Sequence, residues 1–175
     1  MEAILTKAQQ GAIAVLRVAT GIVFLTAGLE KFFGAEPFSA AGFLKGATTG
    51  VPYLGTAAEG TVYNPTHDFW VSLAGNATLM PIINWLVVAG EIGIGALLIL
   101  GLFTRFAAVA GALMMGLFFV ATWDFSHGVI NEQLMYGIVT GVLGVVAAGR
   151  YYGFDAVLEK AATIRRAPQL RYVMG

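Results

Sequence analysis

The sequence predicts an all-α integral membrane protein: a four-helix bundle with a long, partly helical outer loop between its first and second helices. Only 11% of its 175 residues carry charge, 58% are hydrophobic, and the mean hydropathy is +0.77. A soluble domain has about 25% charged residues and cannot bury so many apolar side chains in one small core. Four apolar windows, each near the roughly 20 residues that a helix needs to cross a bilayer, supply the four helices.

The four predicted spans differ in length and in charge. They cover about 11–33, 81–103, 106–123 and 130–150. Arg17 lies within the first span and Glu91 within the second, whereas the apolar core of the fourth, about 133–149, is short. Only Thr104 and Arg105 separate the second span from the third, which predicts that these two helices are antiparallel neighbours. We expect residues 1–175 to form a single membrane domain.

The connection between the first two spans, residues 34–80, is far longer than most loops, which indicates that it is functional or partly structured. Its segments PFSAAGFLKGA and THDFWVSLAGNATLM have apolar residues at mixed three- and four-residue spacing. This spacing predicts short helices lying at the membrane interface. Asn76 begins a glycosylation sequon on the same segment, and sequons of this kind occur often by chance.

The distribution of basic residues predicts the orientation of the chain. Seven lie on the side that carries both termini and the 104–105 turn, and two, Lys31 and Lys45, lie on the opposite side. The positive-inside rule therefore places both termini in the cytoplasm of a plasma or inner membrane. The seven residues are Lys7, Arg105, Arg150, Lys160, Arg165, Arg166 and Arg171.

Composition also excludes several kinds of function. A formal net charge of zero argues against nucleic-acid binding, which requires a surplus of Lys and Arg. The absence of cysteine rules out disulfides, dithiol relays and Cys-ligated clusters. His67 lies beside Asp68 and His127 near Asp124, but neither has metal-ligand spacing, so we expect no metal site. No flavin or nucleotide motif is visible either, so a redox role would require a diffusible or borrowed electron carrier.

The charged residues inside the spans are the candidate functional residues. Arg17, Gly28 and Lys31 fall on one stripe of the first helix, and Glu91 lies near the midpoint of the second. Because an unpaired charge at mid-membrane is costly, we expect Arg17 and Glu91 to face the bundle interior and to interact, directly or through water. Such a pair could simply hold helices together. Alternatively, Glu91 with Arg17 or Lys31 could form a polar pocket that binds a redox headgroup or passes a proton.

Three segments resemble the DoxX/DoxD family of small four-helix membrane proteins: RVATGIVFLTAGLEKFFG, GEIGIGALLILGLFTRFAAVAGALMM and INEQLMYGIVTGVLGVVAAGRYYGFDAVL. The resemblance covers nearly all of the hydrophobic part of the chain. Its most specific elements are Arg17, Gly21, Gly28, Lys31, Glu91, Gly95, Leu98, Gly101, Thr104, Arg105, Asn131, Gly149, Gly153 and Asp155.

The resemblance implies a quinone-linked redox function. DoxD is the membrane subunit of a thiosulfate:quinone oxidoreductase, which oxidises thiosulfate to tetrathionate together with a second subunit, DoxA. For this chain the resemblance implies quinone as cofactor and a partner subunit or a second copy as partner, besides membrane lipid. The expected catalytic residues are Arg17, Lys31 and Glu91, and the expected quinone-binding residues include Gly28 and Arg105 as well.

Three functions remain open at this stage. The first is a redox subunit that passes electrons to quinone from a partner or from a small sulfur substrate such as thiosulfate. The second is a non-catalytic accessory subunit that anchors or stabilises a larger membrane complex. A small transporter is the third, although the sequence shows no inverted repeat.

Overall fold

The computed structural model describes residues 5–46, 64–123, 130–160, 169 and 172–174, and this part of the chain is helical without strands. Its helices are α1 (Lys7–Phe33), α2 (Ala40–Gly46), α3 (His67–Ala74), α4 (Leu79–Leu100), α5 (Thr104–Ala121), α6 (Glu132–Val145) and α7 (Asp155–Leu158), with a 3-10 turn at Ala148–Arg150 between the last two. The predicted all-α class is therefore confirmed.

Three of the described helices, α1, α4 and α5, are long and apolar enough to cross a membrane, which identifies a multi-pass membrane protein. Helix α6 has 14 residues, so it is about 21 Å long and falls short of the roughly 30 Å hydrocarbon core. It ends at Val145, and Ala147 then takes a left-handed conformation with φ of 53°. The helix predicted over 130–150 is thus interrupted after Val145, so the structure supports three membrane-spanning helices and does not confirm the four-helix bundle.

Helices α1 and α4 are antiparallel and pack closely along their length. Gly21 of α1 lies beside Ile99 of α4, and Gly28 lies beside Ile92. Between these contacts, a Cβ atom on Gly95 would come within 2.5 Å of the backbone nitrogen of Leu25. Close approach at these glycines fixes which residues of α1 face which residues of α4.

The rest of the core joins α5 and α6 to this pair. Helix α5 packs against α4 on one side and along α6 on the other. One buried cluster links the three long helices and consists of Phe24, Ile94, Leu98, Ala107 and Met115.

The two short helices predicted in the connection between α1 and α4 are confirmed as α2 and α3. They pack on each other and on α4, and the backbone N–H of Ala40 donates to Asn84 Oδ1 at 2.9 Å. A buried cluster that includes Leu44, Trp70 and Met80 covers this end of the long helices. The aromatic and aliphatic spacing in this connection therefore reflects packing onto the bundle.

Asn64 ties the same connection to the end of α5. It is 3% exposed, and its Nδ2 donates to the carbonyls of Val120 at 2.8 Å and Ala121 at 3.0 Å. Its Oδ1 accepts from the backbone N–H and the hydroxyl of Thr66. Asn64 thus satisfies carbonyls in the last turn of α5, which have no partners within the helix itself.

Candidate functional site

Lys31 and Glu91 form an ion pair between α1 and α4. Lys31 Nζ lies 3.0 Å from Glu91 Oε1 and 2.9 Å from Oε2. The Glu91 side chain is 4% exposed and that of Lys31 is 27% exposed. Lys31 Nζ also donates to the carbonyl of Ala27 at 3.2 Å and lies 5.6 Å from the centre of the Phe38 ring. The carboxylate is therefore deeply buried, whereas the ammonium reaches an open space.

Two features of the helices place this pair. Lys31 stands in the last turn of α1, where a cation interacts favourably with the negative end of the helix dipole. One turn earlier, a Cβ atom on Gly28 would lie 3.0 Å from Glu91 Cβ and 2.9 Å from the backbone nitrogen of Ile92. Glycine at position 28 therefore lets α4 approach closely enough for Glu91 to reach Lys31.

The ion pair lines a cavity of about 390 Å³ whose other walls are mostly apolar. We call it the Lys31–Glu91 pocket. Aromatic rings come from α1, from the segment after it, and from α2, α5 and α6, namely Phe24, Phe38, Phe43, Phe118 and Tyr136. Helix α6 adds two further polar side chains at the wall, Glu132 and Gln133. In a membrane, such a cavity suits a flat apolar molecule that carries a polar group.

Sequence reasoning did not single out the α6 residues of this pocket. Glu132, Gln133 and Tyr136 lie in the first turns of α6, whose first turn is capped by Asn131 through a bond from the backbone N–H of Leu134 to its Oδ1. One signal could have revealed them. If successive spans alternate in direction, the start of the last helix lies at the same end of the bundle as the end of the first, where Lys31 stands.

The donors and acceptors of the ion pair leave room for a ligand. A Lys ammonium has three N–H donors, and Lys31 directs them to the Glu91 carboxylate and the Ala27 carbonyl, which leaves one for another acceptor. Glu91 Oε2 is buried and contacts the ammonium without a hydrogen bond from any other described group. The site therefore offers a hydrogen-bond donor and a carboxylate side by side, the two groups that proton exchange with a ligand oxygen requires.

The predicted contact between Arg17 and Glu91 is wrong. Arg17 is 1% exposed, and its Nη2 donates to the carbonyl of Tyr152 at 3.3 Å. Fourteen residues, or about 21 Å of helix, separate Arg17 from Lys31. Because α1 and α4 are antiparallel, Arg17 lies beside Gly101 just past the end of α4, whereas Lys31 reaches Glu91 in the middle of α4.

Arg17 belongs to a second buried group, which we call the Arg17–Asp155 cluster: Arg17, Gly101, Thr104, Gly149, Gly153 and Asp155. Asp155 accepts from the backbone N–H of Phe103 at 2.8 Å and of Thr104 at 3.0 Å, so it caps the start of α5. Nη1 of Arg17 packs against Gly153. The cluster joins α1, the α4–α5 turn and the segment before α7, an arrangement that holds the fold together.

Arg105 lies at the start of α5 and outside the Lys31–Glu91 pocket. It lines a separate groove between α5 and α6. The structure thus brings together Gly28, Lys31 and Glu91, but it places Arg17 and Arg105 elsewhere. His67 stands at the first turn of α3, away from the pocket lining, and His127 with Asp124 lies outside the described residues.

Comparison with known proteins identifies a family but no individual relative. The DoxX family model matches residues 12–127, which is more than half of the chain. Comparison with curated proteins gave no match, and comparison with solved structures gave none. The matched range includes the Lys31–Glu91 pair and the three glycines that set the packing of α1 on α4. The chain therefore belongs to the DoxX family.

Proposed function

We infer that this protein is a membrane redox subunit that binds quinone in the Lys31–Glu91 pocket. The observation that supports this proposal is a buried carboxylate paired with a lysine on the wall of an otherwise apolar, aromatic-lined cavity among membrane helices. Charged side chains inside a membrane are costly and rare, and intramembrane carboxylates recur at sites of proton transfer. The electrons would come from a partner subunit or from a small sulfur substrate such as thiosulfate.

The shape and chemistry of the pocket fit a quinone headgroup. Such a ring is flat and apolar on both faces and carries carbonyl oxygens at its edge. The rings of Phe43, Phe118 and Tyr136 line the cavity and can pack on its faces. The remaining N–H of Lys31 can donate to one carbonyl oxygen. Gly28 contributes by letting Glu91 approach, while Arg17 and Arg105 lie too far away to contact the ring.

The residues of the pocket would serve the proton steps. Reduction of a quinone to its quinol takes up two electrons and two protons, and oxidation of two thiosulfates to one tetrathionate supplies the two electrons. Glu91 can hand on a proton at its carboxylate, and Lys31 stabilises negative charge that develops on a carbonyl oxygen. Glu132 and Gln133 provide further polar groups at the wall of the same pocket.

Binding should be measured before turnover, using purified protein in nanodiscs and a short-tailed benzoquinone or naphthoquinone as titrant. We expect Lys31→Met and Glu91→Gln to weaken binding by about tenfold or more, since each removes a charged or buried partner. Lys7→Met and Glu30→Gln are matched controls because both residues are exposed on α1. Arg17→Gln should leave the quinone affinity of the folded protein unchanged.

A turnover assay then distinguishes a redox subunit from a non-catalytic accessory subunit. Quinol formation should be followed after addition of thiosulfate, with and without proteins that co-purify from native membranes. Wild-type affinity in both pocket variants would refute the assignment of the pocket. Absence of quinone binding, together with loss of a co-purified complex when the chain is deleted, would instead support the accessory function.

A further inference from the structure

A second cavity lies between α5 and α6 and is independent of the Lys31–Glu91 pocket. It is a groove of about 650 Å³ with apolar walls. Small residues are among those that line it: Ala112 lies on α5 and Gly141 on α6, and a Cβ atom on Gly141 would meet no other atom within 4 Å. Val109 and Leu113 also line the groove and are 60% and 66% exposed.

One cation stands at the end of this groove. Arg105 is half-buried in the first turn of α5, and its guanidinium makes no hydrogen bond or ion pair with any residue that the structure describes. By contrast, Arg150 at the same end donates to both carboxylate oxygens of Glu159 at 2.9 to 3.2 Å. The segment before the C-terminus forms the wall next to Arg105, because the backbone N–H of Phe106 donates to the carbonyl of Val173 at 3.1 Å.

The length of the groove matches one leaflet of a bilayer. From Arg105 to Leu113 the groove follows eight residues of α5, or about 12 Å. Half of a hydrocarbon core is about 15 Å. With Arg105 at the level of the headgroups, an acyl chain in the groove would therefore reach close to the bilayer midplane.

A second copy of the chain fits this groove less well than a lipid does. The described carboxylates near Arg105 are already engaged: Asp155 is fully buried on Phe103 and Thr104, and Glu159 pairs with Arg150. Among the residues that the structure describes, another copy would thus bring no open carboxylate to Arg105 from this end. A phospholipid phosphate supplies an anion together with an acyl chain, and Arg binds phosphate through charge-assisted, often bidentate hydrogen bonds.

We propose that the α5–α6 groove is a binding site for an anionic phospholipid, with the phosphate on Arg105 and one acyl chain over Ala112 and Gly141. The site does not depend on quinone binding. It gives Arg105 a role at the membrane surface, separate from the chemistry of the Lys31–Glu91 pocket.

Native mass spectrometry of the full chain, stripped of lipid and then titrated, tests the proposal with phosphatidylglycerol and phosphatidylcholine of the same chain length. Wild type should prefer phosphatidylglycerol. Arg105→Gln should lower phosphatidylglycerol binding about tenfold and abolish the preference, while Arg105→Lys should retain part of it. Gly141→Leu should fill the groove and weaken the binding of both lipids. Lys7→Gln, which removes an exposed cation from the same end of the bundle, should change neither.

Thermal unfolding of each variant in the same detergent shows whether it is folded. Arg105→Gln decides the question even if Gly141→Leu does not fold, because position 105 is at the rim of the groove and its side chain has no described partner to lose. An undiminished preference for phosphatidylglycerol in Arg105→Gln would overturn the proposal. If the wild type proves to be a dimer, loss of that dimer in both variants without any loss of lipid would also overturn it, since the groove would then be an interface between copies.

Discussion

Replacing Lys31 by methionine should destabilise the protein much more than replacing Glu91 by glutamine. The two side chains differ in exposure, 27% for Lys31 and 4% for Glu91. Methionine at position 31 leaves a carboxylate that is almost inaccessible to water and has lost its cation. Glutamine at position 91 leaves an ammonium that can reach water and can still donate to the new amide oxygen.

The exposures set the expected magnitudes. Removing one partner of a buried ion pair costs about 3 to 5 kcal/mol when the charge left behind stays buried. We therefore expect Lys31→Met to lower the free energy of unfolding by about 3 kcal/mol. For Glu91→Gln we expect about 1 kcal/mol, the typical net value of one hydrogen bond. The double variant should also lose only about 1 kcal/mol, because it leaves no unpaired charge.

The measurement is reversible unfolding in mixed micelles with increasing denaturing detergent, followed by circular dichroism for wild type, both single variants and the double variant. Glu30→Gln is the control, since Glu30 is exposed on α1 next to Lys31. The four free energies form a double-mutant cycle. If the losses of the two single variants add up in the double variant, or if Glu91→Gln costs as much as Lys31→Met, the reasoning from asymmetric burial is refuted.

Three further predictions concern packing and capping. Gly95→Ala should destabilise the α1–α4 pair by at least about 2 kcal/mol because its Cβ would lie 2.5 Å from backbone, whereas Gly93→Ala, which meets no atom within 4 Å, should be neutral or slightly stabilising in the same unfolding assay. Asp155→Ala should cost about 3 kcal/mol since it leaves one buried and one partly buried N–H group without an acceptor. Glu159→Gln, in a half-exposed ion pair, should cost less than about 1 kcal/mol. Asn64→Ala should speed hydrogen exchange in the last turn of α5 without changing exchange at the start of that helix. Equal losses of stability in Gly95→Ala and Gly93→Ala, or in Asp155→Ala and Glu159→Gln, would contradict these assignments. So would unchanged hydrogen exchange in Asn64→Ala.

Composition and periodicity were sufficient to predict the three long helices and the two short ones between α1 and α4, because burial in lipid or against the bundle dominates their energetics. The last predicted span is not confirmed. The apolar run there continues past Val145, but Ala147 takes a left-handed conformation and the chain then brings Asp155 back to the start of α5. That contact joins residues about fifty positions apart, and no local pattern contains it.

The wrong partner for Glu91 has a different physical origin. The angular positions of Arg17 and Glu91 correctly indicated that both side chains are buried. The angular position of a residue around its helix does not determine the axial register between two helices. The 34–80 connection is long enough to allow several such registers of α1 on α4. Lys31 was on the same stripe, so the ambiguity lay only in the axial direction.

Close packing at the glycines resolves that ambiguity, and it links the two buried clusters. At Gly21, Gly28 and Gly95 the backbones of α1 and α4 approach so closely that a slip by one turn would place β-carbons where no space exists. This register puts Arg17 against the α4–α5 turn and, with no further adjustment, puts Lys31 opposite Glu91. A change at Gly95 should therefore weaken quinone binding as well as stability, whereas a change at Asp155 should reduce stability and leave the affinity of the folded protein intact. Measuring both quantities on the two variants separates the residues that build the bundle from those that build the pocket.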